Sequence, residues 1–376
     1  MKYLAERTGR LCLSLPSNRL GLYLALRHWC SPGQRLLMSP LSADEILFLV
    51  LAAGLRPVIA PLSPRDGNID AARVDLAGVD AVLTTNLYGL PDDAPALSGK
   101  ILIEDAAHAM GSSVGGRPVG TFGQAAVFSL SKHPGAGSGG VLVVDDEADL
   151  KALTAARDEL MVPGSAWADL WSVAGSTARR AALRLDLVRP ALWLQRALGL
   201  QEPRQGYRIA LDAERLEQVL GHAPSLPPFD RWVHADLHRY RARRGRLARW
   251  YQDRRMAGVP EERARRVAGV RLLAELPTVA PAVRDDLGQP LFRVPLLVRD
   301  RDAAITALER HGVATGYLYD PPYDEYAPGL TEPSPDPEPA RWWARHVLPV
   351  DPVYASRALP ILRGLQPPEA TPPRRP

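Results

Sequence analysis

The sequence is poor in cysteine and in long apolar runs, and each scarcity excludes a class of protein. Cys12 and Cys30 are the only cysteines among 376 residues, which argues against a disulfide framework or a multi-thiolate metal site. The longest apolar run, Ile46 to Leu55, is about half of the ~20 residues that a membrane span requires. The N-terminus lacks the continuous apolar core of a signal peptide. We therefore expect a soluble, cytoplasmic protein without a membrane span.

Lysine is also rare. Only four of the 46 basic residues are lysines, namely Lys2, Lys100, Lys132 and Lys151. The excess of arginine favours a coding preference over a function, and the net charge is only +4. Because arginine supplies almost all of the positive charge, a lysine is harder to explain as an arbitrary surface charge. Lys132 stands out, seven residues before the Gly-Gly pair of FSLSKHPGAGSGGVLVVDD.

The first 160 residues alternate short apolar runs with helix-like segments, which is typical of an α/β sheet with mostly parallel strands. The candidate strands are Arg35–Ser39, Arg56–Pro61, Asp80–Thr85, Ile101–Glu104, Ala125–Leu130 and Val141–Val144, with a helix over 43–53 between the first two. We predict a large α/β domain over residues 1–210, a smaller α+β domain over 211–365 and a disordered tail over 366–376.

Polar residues follow the carboxyl ends of several of these strands. They are Asn86, Asp105, His108, Ser129 and Lys132. Open parallel sheets bind their ligands just beyond the carboxyl ends of the strands. These side chains therefore define the candidate functional site.

The glycine run after Lys132 has three interpretations. A dinucleotide-binding fingerprint requires a strand, then the glycines, then a helix whose N-terminus faces the pyrophosphate. Here the glycines precede VLVV, which is strand-like, so this interpretation is disfavoured. A hairpin turn between two strands explains the glycines but not the lysine. The third interpretation makes Lys132 the lysine that forms a Schiff base with pyridoxal phosphate.

Pyridoxal phosphate requires a lysine, a carboxylate for its ring nitrogen and donors for its phosphate. Asp105 is the candidate carboxylate. The alternative interpretation is that Asp105 caps the N-terminus of a following helix. His108 would lie near the ring, and a polar loop residue is its alternative. The phosphate candidates are Ser17, Asn18 and Arg19 at the start of a predicted helix, where backbone N–H groups favour an anion, with Ser129 from the loop.

Taken together, these residues resemble the DegT/StrS-type family of pyridoxal-phosphate-dependent sugar aminotransferases. Five segments carry the resemblance in the family's order: SNRLGLYLAL (17–26), LVLAAGLRPVIAPL (49–62), VLTTNLYGLPDD (82–93), IEDAAHAMGSSVGGRPVGTFGQAAVFS (103–129) and SKHPGAGSGG (131–140). The Asp-Ala-Ala-His segment together with the spaced lysine is the specific signal. Residues 167–200 resemble the family only weakly.

The resemblance implies a fold-type-I aminotransferase. Lys132, Asp105 and His108 would be catalytic, while Asn18, Arg19, Asn86 and Ser129 would help to hold the cofactor. The family implies a homodimer with active sites at the interface, glutamate as amino donor and a nucleotide-linked keto-sugar as acceptor, in polysaccharide or secondary-metabolite biosynthesis.

The sequence departs from the family pattern at four places. Asn18-Arg19 replaces Gly-Thr, and the chain between Phe128-Ser129 and Lys132 is two residues shorter. Ala43–Asp44 offers no aromatic ring to stack on the cofactor, and Gly206 stands where the family has an asparagine. Two alternatives remain open: a dehydratase-like enzyme without transamination, for which His133 would replace the lysine, and a catalytically silent relative.

Three further motifs are assigned to structure rather than chemistry. His234 and His238 have the spacing of the two histidines in an H-E-x-x-H zinc-binding helix, but Asp236 lies one residue after the position of the motif's acid. We therefore predict no metal site. The arginine-rich segment 239–266 has acidic interruptions that favour a solvated helix over a nucleic-acid surface. Residues 167–200 fit amphipathic helices broken near Pro190, which favours packing on the protein body over a membrane-surface helix.

Overall fold

The computed structural model describes residues 1–184, 204–205, 208–223, 226–233 and 235–369. Its helices are α1 Lys2–Thr8, α2 Asn18–Trp29, α3 Asp44–Ala52, α4 Ala94–Leu97, α5 Glu147–Leu160, α6 Ala166–Arg184, α7 Ala213–Leu220, α8 Arg246–Ala257, α9 Val259–Leu273, α10 Arg301–Arg310, α11 Tyr323–Tyr326, α12 Glu338–His346 and α13 Ala355–Leu362. Its strands are β1 Leu11–Leu15, β2 Arg35–Met38, β3 Arg56–Ile59, β4 Ala81–Thr84, β5 Ile101–Asp105, β6 Ser113–Val114, β7 Arg117–Pro118, β8 Ala125–Ser129, β9 Gly140–Val144, β10 Arg204–Gln205, β11 Arg208–Ile209, β12 Arg231–Trp232, β13 Ala235–Asp236, β14 Val294–Leu297 and β15 Val347–Val350.

A seven-stranded sheet organises the first part of the chain, in the order β1-β9-β8-β5-β4-β2-β3. The pairs β2–β3, β2–β4, β4–β5 and β5–β8 are parallel, whereas β9 pairs antiparallel with both β8 and β1. The predicted, largely parallel sheet is confirmed, and all six predicted strands are present within one or two residues. The edge strand β1 was not predicted, because its five residues give only a short alternating pattern.

Helix α2 brings its N-terminus to the sheet. Ser17 caps it by accepting a hydrogen bond from Leu20 N–H through Oγ, as the sequence predicts. A Cβ on Gly21 would lie 2.5 Å from Leu15 Cδ1 and 2.7 Å from Val127 Cγ1. Glycine therefore lets α2 approach β1 and β8 more closely than any other residue would.

A second hydrophobic core surrounds the antiparallel pair β14–β15 and includes side chains of α9, α10, α12 and α13. The sequence of residues 291–317 predicts a strand, a helix and a second strand, but only β14 and α10 form. The prediction of the second strand is wrong, because β14 pairs instead with β15, about 50 residues further along the chain. The domain boundary at residue 210 stays a prediction, and the core on the sheet includes Trp232 and Tyr323 from beyond it.

The sequence of residues 234–255 also predicts one long basic helix, and this prediction is wrong. A two-stranded hairpin, β12–β13, and a short 3-10 turn, His238–Arg241, precede α8. Helix α8 begins only after Gly245, whose backbone is extended. His234 of the zinc-like motif lies outside the described residues, and those that are described contain no cluster of three metal-ligating side chains.

Among the described helices, none combines the length and the apolar character needed to cross a bilayer. Residues 185–200 of the predicted helical stretch, Gly206 and the tail from 370 onward lie outside the described residues.

Candidate active site

The loop that carries Lys132 connects β8 to β9. These strands are antiparallel neighbours, and Ser129 pairs with Gly140, so residues 130–139 form a hairpin loop, as the second interpretation of the glycines predicts. No helix follows the glycines, which excludes the dinucleotide fingerprint. A Cβ on Gly140 would lie 2.7 Å from Asn18 N. The hairpin therefore lies directly against the N-terminus of α2.

Asp105 ends strand β5 and is 6% exposed. Its Oδ1 accepts hydrogen bonds from Ala107 N–H at 3.0 Å and from the Asn18 side-chain amide at 3.2 Å. Burial raises the Asp105 pKa to about 6, and the two hydrogen bonds, Arg19 and Lys132 oppose that rise only in part. A turn rather than a helix follows Asp105, so the N-cap alternative is wrong.

Lys132 lies among charged groups of both signs. Burial, Arg19 and Arg293 lower the Lys132 pKa to about 8, while Glu45 and Asp105 act in the opposite direction. Its Nζ lies 5.2 Å from the centroid of the Phe292 ring. A lysine with this pKa is partly neutral near pH 7, and neutral amine is the form that attacks a carbonyl carbon.

His108 packs flat against Phe292, with 4.9 Å between ring centroids and 16° between the planes. Burial, followed by the positive charge of Lys132, lowers the His108 pKa well below its ordinary value. His108 is therefore neutral at pH 7. The backbone carbonyl of His108 lies 2.8 Å from His133 Nε2. This contact holds the His133 ring in position next to His108.

The predicted phosphate residues lie together, but most of their polar atoms already have partners. Ser17 Oγ donates to the Tyr240 carbonyl at 2.7 Å, and the Asn18 amide donates to Asp105 and to the Val127 carbonyl. Ser129 Oγ lies 2.9 Å from Ser131 Oγ. Phosphate binding by Asn18 and Ser129 stays a prediction.

Arg19 differs from these residues because its Nε has no hydrogen-bond partner among the described residues. Its Nη2 lies 3.5 Å from Glu45 Oε1, and its guanidinium lies 4.9 Å from the centroid of the Tyr240 ring. The Tyr240 hydroxyl also donates to Glu45 at 2.9 Å. Burial alone would raise the Glu45 pKa, but Arg19 and this hydroxyl outweigh it and lower the pKa.

Asn86 contacts the backbone of the residue that carries the candidate carboxylate. It is 1% exposed, and its side-chain amide donates to the backbone carbonyl of Asp105 at 3.1 Å. The Asp92 carboxylate accepts hydrogen bonds from the backbone N–H groups of Thr85 and Asn86. Asn86 thus holds the end of β5 in place, and its direct contact with a cofactor stays a prediction.

Sequence reasoning missed several residues that lie around Lys132 and Arg19 in the structure. They are Glu45, Tyr240, Phe292 and Arg293. Glu45 resembles an ordinary first-turn acid of α3, which is the only signal its position gives. Phe292 and Arg293 belong to the segment that leads into β14, and nothing in the local pattern connects that segment with the lysine loop.

The fold is that of pyridoxal-phosphate-dependent transferases of fold type I. The GDP-4-keto-6-deoxy-D-mannose-3-dehydratase of E. coli, solved with bound hydrated PLP, superposes with a TM-score of 0.65 at 16% identity, covering 97% of this chain and 91% of that one. At this identity the likeness concerns the fold alone.

Residues 6–184, the segment that carries the whole sheet, match the model of the DegT/DnrJ/EryC1/StrS aminotransferase family. A pleiotropic regulatory protein of Geobacillus stearothermophilus is 32% identical over 128 residues, 31% of this chain and 34% of that protein. The UDP-N-acetyl-3-dehydro-alpha-D-glucosamine 3-aminotransferase of Acidithiobacillus ferrooxidans is 32% identical over 142 residues, 35% of this chain and 38% of that protein. The matched stretch thus spans about a third of the curated relatives' length.

The described side chains fit pyridoxal phosphate. Asp105 is a buried carboxylate that its neighbours stabilise incompletely, and a protonated ring nitrogen would complete its partners. Arg19 has a buried Nε without an acceptor, which a phosphate oxygen would supply. Lys132, with its lowered pKa, is an amine on which the charges of both residues act.

Proposed function

We propose that the protein is a pyridoxal-phosphate-dependent aminotransferase that transfers an amino group from glutamate to a keto-sugar. The observation that carries the proposal is that Lys132, whose pKa is lowered to about 8, is buried in the same site as the carboxylate of Asp105, and that the charges of the two groups act on each other. Buried groups whose pKa values are shifted by desolvation and by a specific charged neighbour cluster at functional sites.

Pyridoxal phosphate supplies an electron sink that stabilises negative charge on the substrate carbon next to the transferred nitrogen. Lys132 Nζ, neutral for part of the time, would remove a proton from that carbon and deliver it to the carbon on the other side of the transferred nitrogen. Asp105 would keep the ring nitrogen protonated, held in position by the amides of Asn18 and Asn86. His108, which is neutral, would lie against the ring without adding charge.

Arg19 and Ser129 would bind the phosphate, as the resemblance implies. Glu45 would then hold Arg19 through the ion pair with Arg19 Nη2, which leaves Arg19 Nε available to the phosphate. The lowered pKa of Glu45 keeps it ionised at neutral pH, so the pair persists when the cofactor leaves.

The acceptor would be a nucleotide-linked keto-sugar, in polysaccharide or secondary-metabolite biosynthesis. The Acidithiobacillus relative, a UDP-N-acetyl-3-dehydro-alpha-D-glucosamine 3-aminotransferase, supports this class. We further propose a cytoplasmic homodimer whose active sites lie at the interface.

An absorbance titration tests the proposal. Purified protein with pyridoxal phosphate should develop a band at about 410–430 nm, as expected when the cofactor is joined to a lysine, and glutamate should bleach it. Lys132→Ala should abolish the band. Lys151→Ala, a change at an exposed lysine of α5, should leave it intact.

Other outcomes would contradict the proposal. A band that survives Lys132→Ala would move the attachment to another residue. A band that forms but that glutamate does not bleach would favour a pyridoxal-phosphate enzyme without transamination. No band with saturating cofactor would favour a catalytically silent relative.

A further inference from the structure

Helix α6 presents its apolar side to solvent. Trp167 is 67% exposed, Trp171 70% and Leu170 43%. Ala174, Gly175 and Ala178 are also exposed and continue the same stripe at helical spacing. A Cβ at Gly175 would have no described atom within 4 Å. Single exposed apolar side chains are ordinary, but a contiguous stripe with two tryptophans marks an interaction surface.

The polar side of α6 faces the protein. Asp169 is 4% exposed, accepts a hydrogen bond from Gly245 N–H at 2.6 Å and lies 3.7 Å from Arg244 Nη1. Ser176 Oγ donates to the Gly135 carbonyl at 2.6 Å, in the loop that carries Lys132. Within its described part, α6 packs on the protein body as the sequence predicts, but polar residues together with Val173 make the contact. Folding of the described residues leaves the apolar stripe without a partner.

The neighbouring helix α8, which contacts α6, exposes residues of matching character. Trp250 is 55% exposed and Leu247 43%. Arg246, Arg249 and Arg254 are exposed around them, against one exposed acid of the same helix, Asp253. The Arg254 guanidinium lies 5.7 Å from the centroid of the Trp250 ring. The surface formed by α6 and α8 is therefore aromatic and positively charged, because the acid of α6, Asp169, is buried.

We propose that this α6–α8 surface docks on an anionic lipid bilayer, with α6 lying in the plane of the interface. Tryptophan concentrates at the boundary between headgroups and hydrocarbon. An amphipathic helix with arginines beside it gains from both apolar insertion and attraction to anionic headgroups. The sequence that follows α6, residues 185–200, carries Trp193 among leucines with two arginines and one aspartate.

Charge favours a bilayer over a second copy of this chain. In a two-fold symmetric dimer each patch meets its own copy, so the arginines of α8 would face one another. An anionic membrane supplies the opposite charge instead. This proposal does not depend on the aminotransferase activity, since its readouts do not involve the cofactor.

Sedimentation with vesicles tests the proposal on the full chain. The protein should bind phosphatidylcholine vesicles that contain phosphatidylglycerol and not pure phosphatidylcholine vesicles, with weaker binding at high salt. Tryptophan fluorescence should shift to the blue on binding. Trp167→Ala/Trp171→Ala should lower the vesicle partition coefficient by about tenfold or more, because two interfacial anchors are lost. Arg246→Gln/Arg249→Gln should remove the preference for phosphatidylglycerol.

Leu272→Ala/Leu287→Ala is the matched control, since both leucines are exposed but lie outside α6 and α8; it should bind as the wild type does. Thermal melts establish that every variant is folded. Absence of wild-type binding to phosphatidylglycerol vesicles would overturn the proposal, as would unchanged binding by the double tryptophan variant. Light scattering in which that variant loses its oligomeric state, while the wild type ignores vesicles, would assign the surface to self-association instead.

Discussion

Asn18 donates its side-chain amide to Asp105 Oδ1 at 3.2 Å, so the first residue of α2 and the last residue of β5 form one buried pair. The sequence pattern places these residues in two separate tasks, phosphate binding and ring-nitrogen binding. The hydrogen bond connects the two predicted roles, because Asn18, predicted to bind the phosphate, stabilises the carboxylate of Asp105, predicted to bind the ring nitrogen. The Asn18-Arg19 departure from the family pattern thus changes the surroundings of Asp105 as well.

Asp105→Asn should make the cofactor-free protein more stable. An asparagine Oδ1 can still accept the hydrogen bonds from Ala107 and Asn18, while the buried negative charge is removed. The wild-type pKa of about 6 exceeds the usual 3.8, so wild-type stability falls as pH rises from about 4 to 6 and stays low above that range. We expect the variant to be more stable by about 1 to 3 kcal/mol at pH 7.

Urea unfolding of both cofactor-free proteins between pH 4 and 8 measures this difference, which should shrink as pH falls through 6. The same variant should bind pyridoxal phosphate more weakly. An unchanged affinity would contradict the role of Asp105 at the ring nitrogen, and a loss of stability at pH 7 would contradict its incomplete stabilisation.

Capture of pyridoxal phosphate should depend on pH through Lys132. Only the neutral amine reacts, so below the pKa of about 8 the rate should rise by about tenfold per pH unit and then level off. Arg293→Met removes a neighbouring cation that lowers this pKa. The midpoint should therefore move upward by about 0.5 to 1 pH unit.

Stopped-flow absorbance across pH 6 to 9 measures the midpoint. Arg299→Met, at an arginine that is exposed beside Glu369, should leave the midpoint in place. A downward shift with Arg293→Met would show that the arginine acts on the lysine other than through its charge.

Gly137→Ala should disturb the packing of α6 on the lysine loop. Gly137 has a φ of +79°, and a Cβ there would lie 2.8 Å from Ser172 Oγ and 2.9 Å from the Ser172 carbonyl oxygen. Gly116 has a similar φ of +82° with nothing within 4 Å, so Gly116→Ala isolates the backbone contribution. We expect Gly137→Ala to lose about 1 to 3 kcal/mol more than the control, and to capture the cofactor more slowly. Chemical unfolding that shows equal losses of stability for the two variants would contradict this prediction, because α6 would then move away from the added Cβ without a change in the free energy of unfolding.

Glu104→Ala should destabilise the fold without acting on the site directly. The Glu104 carboxylate, fully buried, accepts hydrogen bonds from the backbone N–H groups of Gly120, Phe122 and Gly123. Its loss leaves three donors without an acceptor, which should cost about 3 kcal/mol or more. Glu159→Ala, at an exposed position of α5, should change the free energy of unfolding by less than about 0.5 kcal/mol. Comparable values for the two variants would contradict this role of Glu104.

The sequence determined the sheet and the meeting of Lys132, Asp105 and His108. Hydrophobic runs of strand length locate β2, β3, β4, β5, β8 and β9, and parallel strands bring their carboxyl ends to one edge. Residues that follow those ends therefore converge whatever else the chain does. Local pattern also identified the helix cap at Ser17.

Only the tertiary structure decided what surrounds that triad and which way α6 faces. Glu45, Phe292 and Arg293 reach Lys132 from segments distant in sequence, and hydrophobic periodicity carries no information about such contacts. Periodicity likewise shows that α6 has an apolar side, but not where that side points. In the structure, Ser176 and Asp169 on the polar side of α6 form hydrogen bonds with the backbone of Gly135 and Gly245, which are far from the helix in sequence, so this side packs on the protein.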